Sequence, residues 1–183
     1  EVALGAQVDD VFEVGGEASG SGGAILGRLQ PGREGSVMGE LDVIDDGVRA
    51  LVADLCDTVA LDGRAGLAAT QIGHTQRAFS LHLDGEVSYV LNPEIIELSG
   101  EPVLTGEGCL SVPELWFPVM RYPRAAVRGI DLEGREVVIS GEGLTAQALQ
   151  HECDHLDGML YLNRLDRESR GEAMRQIRSS RWF

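Results

Sequence analysis

Residues 150 to 158 read QHECDHLDG, and this stretch restricts the fold more than any other. His151 and His155 stand four apart, with Glu152 directly after the first. On a helix, positions i and i+4 share one face, so both imidazoles can meet a single metal ion. Glu152 would stand beside that ion as a proton carrier. A fold that satisfies this spacing needs a helix whose ligand face turns inward. The pattern predicts such a helix from about Leu144 to Leu156, ended by Asp157-Gly158.

The rest of the chain must supply the walls around that helix. At 183 residues it is long enough for one domain with its own core. No apolar run approaches the roughly 20 residues of a membrane span, so no membrane partner is expected. A net charge of −15 argues against a DNA-binding function held by phosphate contacts. Cys56, Cys109 and Cys153 are odd in number and not spaced as a disulfide framework, which fits a reducing compartment. The opening EVALGAQVDD is acidic and has no basic n-region, so the expectation is a cytoplasmic protein.

Residues 1–37 hold nine glycines and few large apolar side chains, and read as a flexible Gly-rich leader ahead of a folded domain over 38–183. Ile44, Val48, Leu51, Leu55 and Val59 then recur at helical spacing behind a cap at Asp45 or Asp46. Cys56 is expected in the core beside them. AFSLHL and VSYVLNP read as strands joined by Asp84-Gly85, and AAVRGIDLEGREVVIS as a hairpin turning at Glu133-Gly134. NRLDRESRGEAMRQIRSSRWF, with six arginines against three acids, reads as a C-terminal helix. Strands followed by a helix laid against them predict an α+β fold, with mixed or antiparallel strands packed around the central helix.

Two histidines do not complete a catalytic metal site, which takes three protein ligands and an open position. An extended HExxHxxGxxH pattern would place its third histidine where this chain has Tyr161, and the more distant Glu172 lies among arginines. A better third ligand is Cys109 in EGCLS, a soft thiolate suited to zinc or ferrous iron. Cys153, two residues after His151, points off the ligand face and reads as structural.

RAGLAATQ at 64–71, EGCLS at 107–111 and QHECDH at 150–155 occur in that order, and together they resemble the three signature motifs of the peptide deformylases. The resemblance covers about residues 44–166. It implies hydrolysis of the N-formyl group on the formyl-methionine of nascent polypeptides, with release of formate. It implies one divalent metal held by Cys109, His151 and His155, expected to be Fe(II), with zinc, nickel or cobalt as substitutes. Glu152 would carry the proton, while the Gln71 side-chain amide and the Leu110 backbone N–H would form the oxyanion hole. The substrate backbone would lie along Ala65, Gly66 and Gly108, with Leu67, Leu144 and the neighbourhood of Gln147 walling a methionine pocket. Glu107 and Arg121 match an ion pair bracing the cysteine loop.

Three departures accompany the likeness. Arg64 replaces the first glycine of GxGxAAxQ, so its side chain either overhangs the cleft, contacting longer peptides, or turns away from it. The leader lacks a GDPxL-like segment. Trp116 brings a large aromatic near the cleft. Competing readings are an HExxH metalloendopeptidase and a non-catalytic, metal-holding relative that touches the ribosome through the basic C-terminal helix.

Overall fold

The computed structural model describes residues 39–183, so the Gly-rich leader expected over 1–37 lies outside the described residues. Helix α1 spans Asp46–Val59, and Asp45 caps it, its Oδ1 accepting the Val48 N–H at 3.0 Å. The apolar stripe read from the sequence is the buried face: Val48, Leu51, Val52, Leu55 and Val59. Cys56 is half-buried and packs at the edge of that cluster.

Strands β1 (Gly66–Ala68), β2 (Ala78–Leu83), β3 (Glu86–Ser99), β6 (Arg124–Ile130) and β7 (Glu136–Glu142) form one sheet in the order β1-β2-β3-β6-β7, antiparallel throughout. A 3-10 turn, Ala69–Ile72, follows β1. Asp84 (φ 53°) and Gly85 (φ 80°) both adopt positive φ between β2 and β3, as a type I′ hairpin turn requires. Strand β3 runs past the expected end at Pro93. The ladder shifts register between Leu91 and Glu94, which lets a proline without an N–H sit inside the strand.

Strands β4 (Val103–Cys109) and β5 (Val112–Arg121) form a separate hairpin. The two prolines of β5, Pro113 and Pro118, hide it from a propensity reading, and such residues are tolerated where a strand is paired on one side only. Helix α2 (Gly143–Leu156) lies between the sheet and this hairpin, and every residue from Ala146 to Leu156 is buried. A second 3-10 turn, Tyr161–Arg164, leads to α3 (Arg167–Ser179), which buries Ala173 and Ile177 against the hairpin. This is the expected α+β architecture, three helices with antiparallel strands around a central one. Among the described residues no helix is long and apolar enough to cross a membrane.

Three apolar clusters share the interior: one between the sheet and α2, one under α1, and one joining the β4–β5 hairpin to the C-terminal segment. The ends of β1 and β4 meet the ligand face of α2 where these clusters adjoin.

Candidate active site

Helix α2 sets the geometry. His151 and His155 lie one turn apart on it, and their Nε2 atoms are 3.1 Å from each other. Cys109 enters from the end of β4, its Sγ 3.2 Å from His155 Nε2. One ligand atom from each of the three lies within 4.8 Å of the other two, and all three side chains are buried. Such spacing and donor chemistry fit one cation bound at about 2.0–2.3 Å by a thiolate and two imidazoles. Burial opposes ionisation of the Cys109 thiol, yet the facing imidazoles, His155 foremost, hold it well below the usual thiol range. Sulfur is thereby kept in its ligating form.

The imidazole of His151 is oriented from behind. Its Nδ1 lies 2.6 Å from Glu107 Oε1, so Nδ1–H donates and Nε2 faces the other two metal-capable side chains. Glu107 in turn accepts a fork from Arg121, at 2.8 Å from Nε and 2.6 Å from a terminal nitrogen. Burial pushes the Glu107 carboxyl up, but Arg121 and His151 outweigh it and bring it down to about 2. Gln147 adds a donor to the Gly106 carbonyl at 2.8 Å, so its side chain braces β4.

Glu152 differs from its neighbours. It is fully buried, and among the described residues its Oε2 is the buried side-chain oxygen without a hydrogen-bond partner. Burial raises its carboxyl to about 7, against the pull of His151 and His155. A carboxyl with that affinity can both take up and release a proton near neutral pH.

Gln71 sits in the 3-10 turn after β1. Its Oε1 accepts the Ala68 N–H at 2.8 Å, which turns the amide nitrogen toward the cysteine loop, 3.3 Å from Ser111 Oγ and 3.8 Å from Cys109 Sγ. Leu110 and Ser111 form the tight connection from β4 to β5, and the Ser111 N–H donates to Cys109 Sγ at 3.4 Å. β1 is the outer strand of its sheet, so Gly66 lies on an edge beside Glu152, and Ala65, just before it, accepts the His82 N–H through its carbonyl at 3.0 Å. Gly108 lies under Trp116, with the indole Cε2 only 2.9 Å from where a Cβ would stand.

A family model described as polypeptide deformylase matches residues 36–171. The chain belongs to the peptide deformylase family. Its members are enzymes that remove N-formyl groups from nascent peptides. The chain is 44% identical over 138 residues to the peptide deformylase of Acidothermus cellulolyticus, an alignment spanning 75% of this chain and 76% of that relative. The solved peptide deformylase of Legionella pneumophila matches with a TM-score of 0.72 at 34% identity, over 78% of this chain and 85% of that one. That of Thermus thermophilus matches at 0.71 and 36%, over 78% and 86%.

Several side chains fall elsewhere than the sequence suggested. Leu67, expected in a pocket wall, turns its side chain into the α1 cluster, because alternation along β1 sends it to the face opposite Glu152. Its backbone alone remains on the edge. Leu144 lies half-buried in the first turn of α2. Arg64 turns away from the cleft and donates to the Thr58 carbonyl at 2.6 Å, capping the last turn of α1. Tyr161, at the position an extended protease motif gives to histidine, instead donates to the Leu115 carbonyl at 3.0 Å. Glu172 pairs with Arg175 and Gln176 on the surface of α3. Neither protease completion reaches the cluster. Cys153 is core, and burial lifts its thiol to about 12.

Sequence reading missed Asp154 and Arg164. Asp154 accepts from Arg121 at 2.8 Å and from Arg164 at 2.5 Å through both oxygens. It also missed Gln150, which pairs with both backbone groups of Tyr122, at 3.0 and 2.9 Å. The only sequence signal was polarity at i, i+3, i+4 and i+7 along α2, a hydrophilic face on a helix that must be buried.

Proposed function

We propose that Cys109, His151 and His155 hold one divalent cation, and that Glu152, Gln71 and Leu110 act around it on the formyl group of formyl-methionyl nascent peptides. When bound, such a cation supplies Lewis acidity and lowers the pKa of water toward neutrality. The thiolate in the donor set suits zinc or ferrous iron alike, and the likeness to the peptide deformylases is what favours ferrous iron as the native metal, with zinc, nickel or cobalt as substitutes.

The substrate backbone adds as a strand along Ala65, Gly66 and Gly108, beside β1, the outer strand of its sheet among the described residues. Leu144 contributes to the methionine pocket, and Leu67 takes part through its backbone. Glu152 accepts the proton of the attacking water as the new C–O bond forms at the formyl carbon. The Gln71 amide and the Leu110 N–H donate to the oxygen that gains charge. Glu152 then returns its proton to the departing amine as the C–N bond breaks, leaving formate and a free amino terminus. Glu107 and Arg121 keep His151 aimed. Action on nascent peptides favours a cytoplasmic location, and the arginine-rich C-terminal helix α3 would be the element to meet the ribosome.

The observation that carries this reading is the fully buried carboxylate oxygen of Glu152, without a hydrogen-bond partner among the described residues, beside the cysteine–histidine cluster. A relative that only stored metal would have no use for it. Replacing Glu152 with glutamine removes the proton carrier without touching a ligand. The variant is expected to keep its metal while formate release from formyl-Met peptides drops by roughly 100-fold or more. Wild-type turnover by the metal-loaded variant would refute the role.

A further inference from the structure

We propose that Arg164, in the 3-10 turn beyond α2, is a positioning residue for the metal ligand His151. The inference rests on the metal site proposed above and extends it to the surface of the molecule. An unbroken chain of charged contacts joins the two residues: His151 to Glu107, Glu107 to Arg121, Arg121 to Asp154, Asp154 to Arg164. The interior members are almost wholly enclosed, with side-chain exposures of 0% for Glu107, 2% for Arg121 and 4% for Asp154, whereas Arg164 is 40% exposed.

The charges explain why the last member matters. Arg121 lies between two buried carboxylates, and a single guanidinium cannot neutralise both. Arg164 settles the imbalance by closing a planar fork on Asp154, with Nε on Oδ2 and a terminal nitrogen on Oδ1, both at 2.5 Å. With Asp154 satisfied from outside, Arg121 keeps its Nε and one terminal nitrogen on Glu107. Glu107 can then hold the His151 Nδ1–H at 2.6 Å, in the orientation that leaves Nε2 for the metal. Without Arg164, Asp154 draws Arg121 toward itself, the fork on Glu107 loosens, and the imidazole gains freedom to rotate. Lysine cannot substitute fully, because an ammonium is a point charge and not a fork.

The test titrates Co(II) into metal-free protein, reading visible absorption and competition with a chelator. Arg164→Gln is expected to bind Co(II) roughly tenfold more weakly, within the range known for partners behind a metal ligand, and Arg164→Lys to fall between it and wild type. In a Glu107→Gln background the link is already cut, so adding Arg164→Gln should cost no further affinity. A merely structural arginine would lower the melting temperature of the metal-free protein and leave Co(II) affinity of the folded protein unchanged. Affinity within twofold of wild type for Arg164→Gln, or an equal loss in both backgrounds, would overturn the proposal. Wild-type Co(II) binding by Cys109→Ala would instead sink the metal site itself, a separate failure.

Discussion

Gly66 offers the sharpest probe of the cleft. Its φ lies outside the left-handed region, so alanine meets no backbone strain there. What it meets is Glu152. A Cβ at Gly66 would stand 2.8 Å from the carboxyl carbon of Glu152 and 2.9 Å from its Cγ, with Oε1 nearer still. Carbon atoms pack at about 3.5 Å or more, so the side chain or the strand must retreat by roughly 0.7 Å. Glu152 is only 2% exposed, so it cannot simply swing out into solvent. Overpacking of this kind costs about 1–3 kcal/mol, which for a domain of this length lowers the melting temperature by roughly 2–12 °C. The displaced carboxylate is also the proposed proton carrier, and a misplacement approaching 1 Å can cost up to about 100-fold in rate. Gly66→Ala should therefore retain full metal, melt earlier and release formate roughly 10- to 100-fold more slowly. Shortening the partner in a Gly66→Ala, Glu152→Asp double variant should restore part of the lost stability, a coupling that thermal melts would register. A Gly66→Ala protein with wild-type melting and turnover would refute the packing argument and the place of Glu152 in it.

Cys109→Ala and His155→Ala should each lose stoichiometric metal, and elemental analysis of the purified variants checks this. Full metal in either would contradict the ligand set. Arg64→Gly removes the bond to the Thr58 carbonyl, so it should cost on the order of 1 kcal/mol of stability and leave KM for longer formyl peptides unchanged. A raised KM at unchanged stability would return Arg64 to the cleft rim.

The parts of the fold legible in the sequence were those with strong local causes. The α1 stripe, the Asp84-Gly85 and Glu133-Gly134 turns and the span of α2 all announce themselves within a dozen residues. β5 did not, because Pro113 and Pro118 are tolerated only by virtue of its pairing on one side. β3 outran its expected end because a register shift at Pro93 absorbs the missing N–H. In the site, the three metal-capable residues and Glu152 were readable from spacing and likeness. The direction of Arg64 was not, since both alternatives suit the same residue and only the Thr58 carbonyl decides between them. The pairing of Asp154 with Arg121 and Arg164 was equally hidden, because exposed and buried ion pairs look alike in one dimension.

Helix α2 has a consequence for how the molecule assembles. Gln147, His151 and Asp154 draw their partners from Gly106, Glu107, Arg121 and Arg164, all on the β4–β5 hairpin or in the turn that follows α2. A half-folded chain in which α2 had docked on the five-stranded sheet alone would bury those polar groups unpaired, each at a cost of about 1–3 kcal/mol. Such an intermediate is penalised several times over. The hairpin, the helix and the C-terminal turn therefore have to close together, and the ligands come into register in the same cooperative step that makes the chain a folded protein.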